Sequence, residues 1–210
     1  MKHELHKQRK SYKRSKHITE IGSGEMELIT KKIFEDLEEL MMSNDIAQVG
    51  DEVIVKDLYG YTKYVVADIN DDEIKFIRKT LFKDHKPMKT ENFDLKEWLD
   101  SEYRRSITEN LPDNIIKLMG VVTIPTVKEV YGVDKFDTKL EGSQWKWFEN
   151  RENRIAFTDN EDDELSDYWW LRVAVSAAHF AGVDANGYCY YNYASLAWVG
   201  VRPAFSIRKS

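Results

Sequence analysis

The sequence predicts an α+β fold: a mostly antiparallel sheet and two short helices, preceded by a basic tail and an amphipathic helix. Three observations carry this reading. Apolar and polar residues alternate with a period of two over residues 52–57, 61–68 and 73–79, with only short polar turns between them. Helical spacing within the body is confined to two short stretches, near 94–107 and 126–131. Neither a βαβ rhythm nor an internal repeat runs along the chain.

Composition sets the outer limits. The 210 residues are 42% hydrophobic and 12% aromatic, enough to fill a core, so wholesale disorder is excluded. A chain of this size forms one domain with at most a small appendage. No stretch approaches the roughly 20 apolar residues of a membrane span, so no membrane partner is expected. The single cysteine, Cys189, rules out an internal disulfide framework and a multi-cysteine zinc site.

Residues 1–24 read as a basic flexible tail. The first 17 hold seven Lys or Arg against Glu4 alone, a net of +6; the whole chain is at −6, so the remainder is at −12. No apolar h-region follows the basic start, so a secretory signal is not expected and synthesis in the cytoplasm is. Lys7, Arg9, Lys10, Lys13 and Arg14 are candidate contacts for nucleic acid or an acidic partner; the alternative is a solvated tail.

Gly22-Ser23-Gly24 is a joint, and 25–43 follows as an amphipathic helix. Met26, Ile29, Ile33, Leu37 and Leu40 fall at spacings of 3, 4, 4 and 3, one narrow stripe. The stripe suits docking onto the chain's own domain or pairing with a second copy through residues 25–42, which would make a homo-oligomer.

The domain proper spans 46–208. Asn70-Asp71-Asp72 suits a hairpin connection, and Leu95, Trp98, Leu99 and Tyr103 face the core from the helix at 94–107. A short strand over 121–124 ends at Pro125, and Thr126 with Glu129 forms a capping box. Trp145, Trp147 and Phe148 peg a long pattern-poor segment to the core. The run 159–167 holds six acids and no base; it reads as solvated, and as a cation site it lacks the D-x-D-x-D-G loop. Strands over 168–173, 187–193 and 199–207 finish the chain.

Catalytic chemistry finds no support. G-x-S-x-G, H-E-x-x-H, the Walker glycine loop and G-x-G-x-x-G are all absent. Three of five histidines lie in the tail, and His85 and His179 have no carboxylate or cysteine at ligand spacing. Cys189 lies among tyrosines without a base nearby, as a buried inert thiol would. No enzyme, cofactor or metal is expected. Binding fits better. In Tyr188-Cys-Tyr-Tyr-Asn-Tyr193 aromatic rings must leave on both faces of a strand, beside the small polar loop 181–186. Rigid aromatics mixed with Asn, Asp and Ser form adaptable recognition surfaces, although the same rings could merely cover a sheet edge. The candidate ligand-binding residues are Tyr188, Tyr191, Asn192, Tyr193, His179, Asp184, Asn186 and Trp198.

Trp169-Trp170-Leu171-Arg172, a small-residue loop and then Gly200-Val201-Arg202-Pro203-Ala204-Phe205 together resemble the DUF6273 family. Leu95-Lys-Glu-Trp98-Leu99-Asp100 is similar to that family's "WLN" helix, and residues 121–131 to its strand followed by "Ev..Y"; the likeness covers roughly 48–208. The resemblance implies a C-type-lectin-like fold, alongside formylglycine-generating-enzyme relatives and diversified phage tropism proteins. The cysteine pair of the former is missing, as are the sugar-reading E-P-N or Q-P-D tripeptides and disulfides of calcium-dependent lectins. What the resemblance implies is a display scaffold, with Arg172 and Arg202 on neighbouring strands holding loop carbonyls or carboxylates. The expected function is therefore a non-enzymatic binding module, phage or prophage encoded, recognising a protein or glycan partner through the C-terminal aromatic and small-residue surface over 177–198. The alternatives are an intracellular regulator or host-defence antagonist acting through the basic arm, and a structural, virion-associated component assembled through 25–42.

Overall fold

The computed structural model describes residues 33–42, 47–82, 84–139, 142–158 and 166–209. The basic arm with Lys7, Arg9, Lys10, Lys13 and Arg14 lies outside the described residues, as do the first part of the amphipathic helix and most of the acidic run. The architecture is mixed α+β with mostly antiparallel sheets, as the alternation predicts. Strands β2 (Glu52–Asp57), β3 (Gly60–Ile69) and β4 (Glu73–Arg78) form the meander. Asn70 makes its second turn: its Oδ1 accepts from the N–H groups of Asp72 and Glu73, each at 2.9 Å. Two short antiparallel pairs follow, β5 (Lys89–Thr90) with β6 (Phe93–Asp94) and β7 (Ala156–Phe157) with β8 (Ser166–Asp167). Strand β12 (Ala204–Arg208) returns to pair with β4, so it closes a sheet that the first half of the chain began.

Both faces of this sheet are buried. Tyr64, Val66, Phe76 and Phe205 enter one core and Val65, Ala67, Ile77 and Ala204 a second. That double burial is why β3 departs from the alternation expected over 61–68 and reads Tyr-Val-Val-Ala without polar interruption. A helical segment spanning 95–108, α2, covers the first core. It passes from Leu95–Trp98 through a π turn, Leu99–Tyr103, into Arg104–Thr108. Leu95, Leu99, Tyr103 and Ile107 are all buried although each lies four residues on. An α-helix carries each such step about 40° past a full turn; the wider π turn falls short of one, and the errors cancel.

Several expectations need correction. Among the described residues of the expected helix over 25–42, Ile33–Phe34 is instead a strand, β1, parallel to β2, and Leu37–Met42, α1, is helical. Phe34, Leu37 and Leu40 are buried in the first core, so this part of the stripe belongs to the domain and is covered by it. Residues 121–124 form no strand: Thr123 makes one bridge to Ala204, and Val121 is exposed. Pro125 halts further pairing. The strand expected over 199–207 begins only at Ala204, because Gly200 first bridges to Trp169 and the Pro203 carbonyl accepts from Arg78. One short helix, α3 (Asp113–Leu118), carries too little periodicity to be read. The capping box at Thr126 opens α4 (Val127–Tyr131) as predicted.

A three-stranded sheet lies beside the main one: β9 (Trp169–Ala174), β10 (His179–Val183) and β11 (Cys189–Tyr193), in the order β11-β10-β9. Trp170 reaches the first core and donates from Nε1 to the Lys86 carbonyl at 3.0 Å. Trp169 reaches the second and donates to the Arg154 carbonyl at 2.8 Å. Adjacent residues on one strand thus serve two cores. Arg172 and Arg202 are not on neighbouring strands: Arg172 is exposed and pairs with Glu129 at 3.1 Å, whereas Arg202 is buried before β12.

Glu52 opens β2 between Lys79 and Lys63, whose ammonium lies 3.3 Å away. Burial works to raise its carboxyl, and the two lysines outweigh burial and hold it below the ordinary value. A carboxylate so depressed adds stability above its unfolded pKa and loses it as pH falls through the folded one. Glu52→Gln should therefore cost about 1 kcal/mol at neutral pH, measured by urea unfolding, because both lysines are partly exposed. The gap between variant and parent should close as pH drops below the ordinary glutamate range.

Candidate functional site

The β10–β11 hairpin carries most of the residues that the sequence singles out. Val175 to Ala178 turn the chain out of β9, and the middle strand β10 occupies 179–183, where the sequence reading expects a small polar loop over 181–186. The reason is packing. A Cβ on Gly182 would lie 2.4 Å from the Tyr190 ring and 2.8 Å from the Trp169 carbonyl, so small residues mark a crowded strand rather than a free loop.

The register pairs His179 with Tyr193, Ala181 with Tyr191 and Val183 with Cys189. Alternation therefore puts His179, Tyr191 and Tyr193 on one face, continuous with the buried Ala181 and Val183. The His179 ring lies 4.3 Å from Tyr193 and edge-on to Tyr191 at 5.8 Å, and Phe136 meets Tyr191 edge-on at 6.1 Å. Tyr191 and Tyr193 remain more than half exposed. His179 Nδ1 is 2.9 Å from the Ser176 hydroxyl, which fixes the ring.

The opposite face holds Tyr190 and Asn192. Tyr168 stands edge-on to Tyr190 at 5.0 Å and to Trp198 at 5.6 Å. Asn192 turns its Oδ1 to the N–H of Tyr193 at 2.9 Å. Asp184 and Asn186 lie at the hairpin turn, apart from both groups. Asp184 Oδ1 accepts from the N–H groups of Asn186 and Tyr188, at 2.9 and 2.8 Å, so this carboxylate shapes the turn. Next to it Tyr188 is exposed, with Arg151 both over its ring and donating to its hydroxyl. The eight candidates thus divide between two sheet faces and a turn; His179, Tyr191 and Tyr193 form the tight cluster.

Sequence reasoning missed Arg151, Phe136 and Tyr168. Each is brought to the hairpin by tertiary packing across many residues, and no local pattern announces that. His85 gains a carboxylate that spacing did not reveal: its Nε2 is 3.3 Å from Asp167 Oδ2. Cys189 is half-buried, and burial pushes its thiol up, with Asp184 adding to the rise against Lys135. It is not held as a thiolate. Tyr131 donates to the Gly187 carbonyl at 3.3 Å and is likewise raised by burial.

A second polar group lies inside the first core. Arg78 Nε is 3.2 Å from Asp57 Oδ2, Tyr103 donates to the same oxygen at 2.6 Å, and the Tyr64 and Tyr103 hydroxyls are 2.7 Å apart. All are sealed from solvent, and burial drives both phenols well above their ordinary value. Arg78 also donates to Thr80 and Leu81 carbonyls, at 3.0 and 2.6 Å. The network closes the β2–β3 hairpin and offers no substrate access. Among the described residues no group of His, Cys, Asp and Glu is arranged to hold a metal ion, and no helix is long and apolar enough to cross a membrane.

Two packed sheets with short helices and a displayed aromatic hairpin define the class. Residues 124–209 match the model of the family described as Domain of unknown function (DUF6273), the family that the WWLR and GVRPAF segments resemble. The match takes in β9 to β12 and α4 but not the 95–100 helix, so it is narrower than the resemblance over 48–208 implied. No curated protein and no solved structure matches the chain.

Asp184→Ala removes the side-chain oxygen that accepts two hydrogen bonds in the turn. It should lower the unfolding free energy by about 1 kcal/mol, read from the urea midpoint. Amide exchange at Gly182, Tyr190 and Asn192, which bond across the hairpin, should quicken more than in β2–β4.

Proposed function

We propose that this chain is a non-enzymatic binding module, encoded by a phage or prophage, that recognises a protein or glycan partner through the β10–β11 hairpin. One observation carries the reading. Of the eight large hydrophobic side chains exposed among the described residues, four (Tyr188, Tyr191, Tyr193 and Trp198) fall between 188 and 198. Tyr191 and Tyr193 share one sheet face with His179, and exposed aromatics gathered in this way mark recognition surfaces, because they offer large contact area for little lost rotamer freedom. His179, its ring held by Ser176, supplies a polar edge beside Tyr191 and Tyr193, and the ring contacts of Phe136 to Tyr191 and of Tyr168 to Trp198 hold those rings in place before a partner arrives. A preorganised surface spends less binding energy on ordering itself. The display role and the C-type-lectin-like relationship come from the family resemblance, and the phage origin with them.

The test is a partner screen with the full chain, followed by substitution. Tyr191→Ala with Tyr193→Ala should weaken whatever partner the parent captures by at least about tenfold, as loss of aromatic anchors does. The melting temperature should stay near that of the parent, since both side chains are exposed. Undiminished capture by the double variant would place recognition elsewhere, with the basic arm of 1–17 the next segment to delete.

A further inference from the structure

Resting on the binding reading above, we propose that β11 is a docking edge that takes an extended, acidic peptide segment of a partner protein as an added strand. Neighbouring edges are covered. The flank of β12 receives Gly120, whose N–H donates to the Ser206 carbonyl at 2.8 Å, and Thr123, which exchanges two bonds with Ala204 at 2.9 and 2.7 Å. The flank of β9 receives Gly200 at Tyr168 and Trp170, and Pro125 at Arg172.

The flank of β11 is different. Asp184 N–H donates to the Tyr188 carbonyl and Ala194 N–H to that of Ala178, at 2.8 and 2.9 Å. With the register between them, these bonds fix residues 188, 190, 192 and 194 as the ones that face β10. Cys189, Tyr191 and Tyr193 therefore send their main-chain groups outward. At Tyr193 both are taken, the N–H by Asn192 Oδ1 and the carbonyl by Leu196 N–H at 3.1 Å. At Cys189 and Tyr191 neither the N–H nor the carbonyl has a further partner among the described residues. Two residues two apart, each with a free donor and acceptor, are the repeat that an incoming strand reads.

Side chains choose the occupant. Edge strands are usually guarded by lysine or proline; β11 carries tyrosines instead, and the cations stand beside it. Arg151 lies over Tyr188 at 5.2 Å, and Lys135 and Arg154 over Tyr131 at 4.5 and 4.9 Å. Tyr131 in turn holds the Gly187 carbonyl just before β11. None of the three cations has a carboxylate within ion-pair distance among the described residues. Aromatic rings shelter them without neutralising them, so a segment with glutamate or aspartate at alternate positions gains charge pairing as well as main-chain bonds. The same cations disfavour a lysine-rich strand.

The experiment uses the full chain and two capped hexapeptides, alternating Glu–Val and alternating Lys–Val, with amide exchange and aromatic signals followed by NMR. The Glu–Val peptide should slow exchange at Cys189 and Tyr191 by roughly tenfold at millimolar concentration. The Lys–Val peptide should not, and Lys135→Glu with Arg151→Glu should reverse the preference. Unchanged exchange at both amides, or equal action of the two peptides, overturns the proposal. So does protection that rises with protein concentration alone, which would make a second copy the occupant. Shifts of the Tyr191 and Tyr193 rings without amide protection would sink the edge while leaving the recognition face. Undiminished partner capture by the Tyr191/Tyr193 double variant would sink that face.

Discussion

Arg202 is a buried cation without a carboxylate partner among the described residues, and its burial explains how the two sheets are joined. Removing a guanidinium from water costs several kcal/mol unless its donors are met. Here Nε donates to the Arg78 carbonyl at 2.8 Å, one terminal nitrogen to Asn153 O at 2.8 Å and the other to Lys79 O at 3.3 Å. The Phe148 and Trp169 rings lie 5.7 and 5.4 Å from its central carbon. Burial pushes its pKa down to about 9, so it keeps its charge at neutral pH. Each acceptor comes from a different place: the end of β4, the residue after it, and the 3-10 turn Arg151–Arg154. One side chain thus fixes the meander, the pattern-poor segment and the start of β9 to one another.

The consequence for the candidate site is mechanical. The turn Arg151–Arg154 that Arg202 holds is also the one that places Arg151 on Tyr188 and supplies the carbonyl for Trp169. Gly200, two residues earlier, links Tyr168 and Trp170 through its own N–H and carbonyl, and a Cβ there would come within 2.6 Å of Leu81. The hairpin with His179, Tyr191 and Tyr193 is therefore presented by a frame whose joints are buried and specific. Rigid scaffolding of an exposed aromatic cluster is what the proposed recognition role requires.

How much of this was legible in the sequence follows from the range of the forces involved. The meander declares itself because its turns and alternation are local: β2 is found where Glu52–Asp57 predicts it, and the capping box at Thr126 needs only three residues. Adjacent residues on a strand leave on opposite faces, and Trp169 and Trp170 are both fully buried, one in each core. Strand β10 stays hidden because Gly182 is small for a tertiary reason, the Tyr190 ring lying over it, and beside Ala181 it mimics loop composition. The stripe through Ile33, Leu37 and Leu40 reads as one helix because helical spacing does not exclude a strand at its start, and β1 is fixed only by its pairing with β2. Of the site, the aromatic residues were legible; the neighbours that orient them, Phe136, Tyr168 and Arg151, were not, because they arrive through packing.

Native-state hydrogen exchange on Arg202→Met tests the central claim most directly. Methionine keeps much of the side-chain volume while leaving the Arg78, Lys79 and Asn153 carbonyls without their donor. If Arg202 joins the sheets, protection should fall together in β4, β12, β9 and β10, with the hairpin amides losing as much as the meander. Full native protection of β9–β11 alongside a weakened β4 and β12 would contradict it, and would make Arg202 a local clamp on the meander alone.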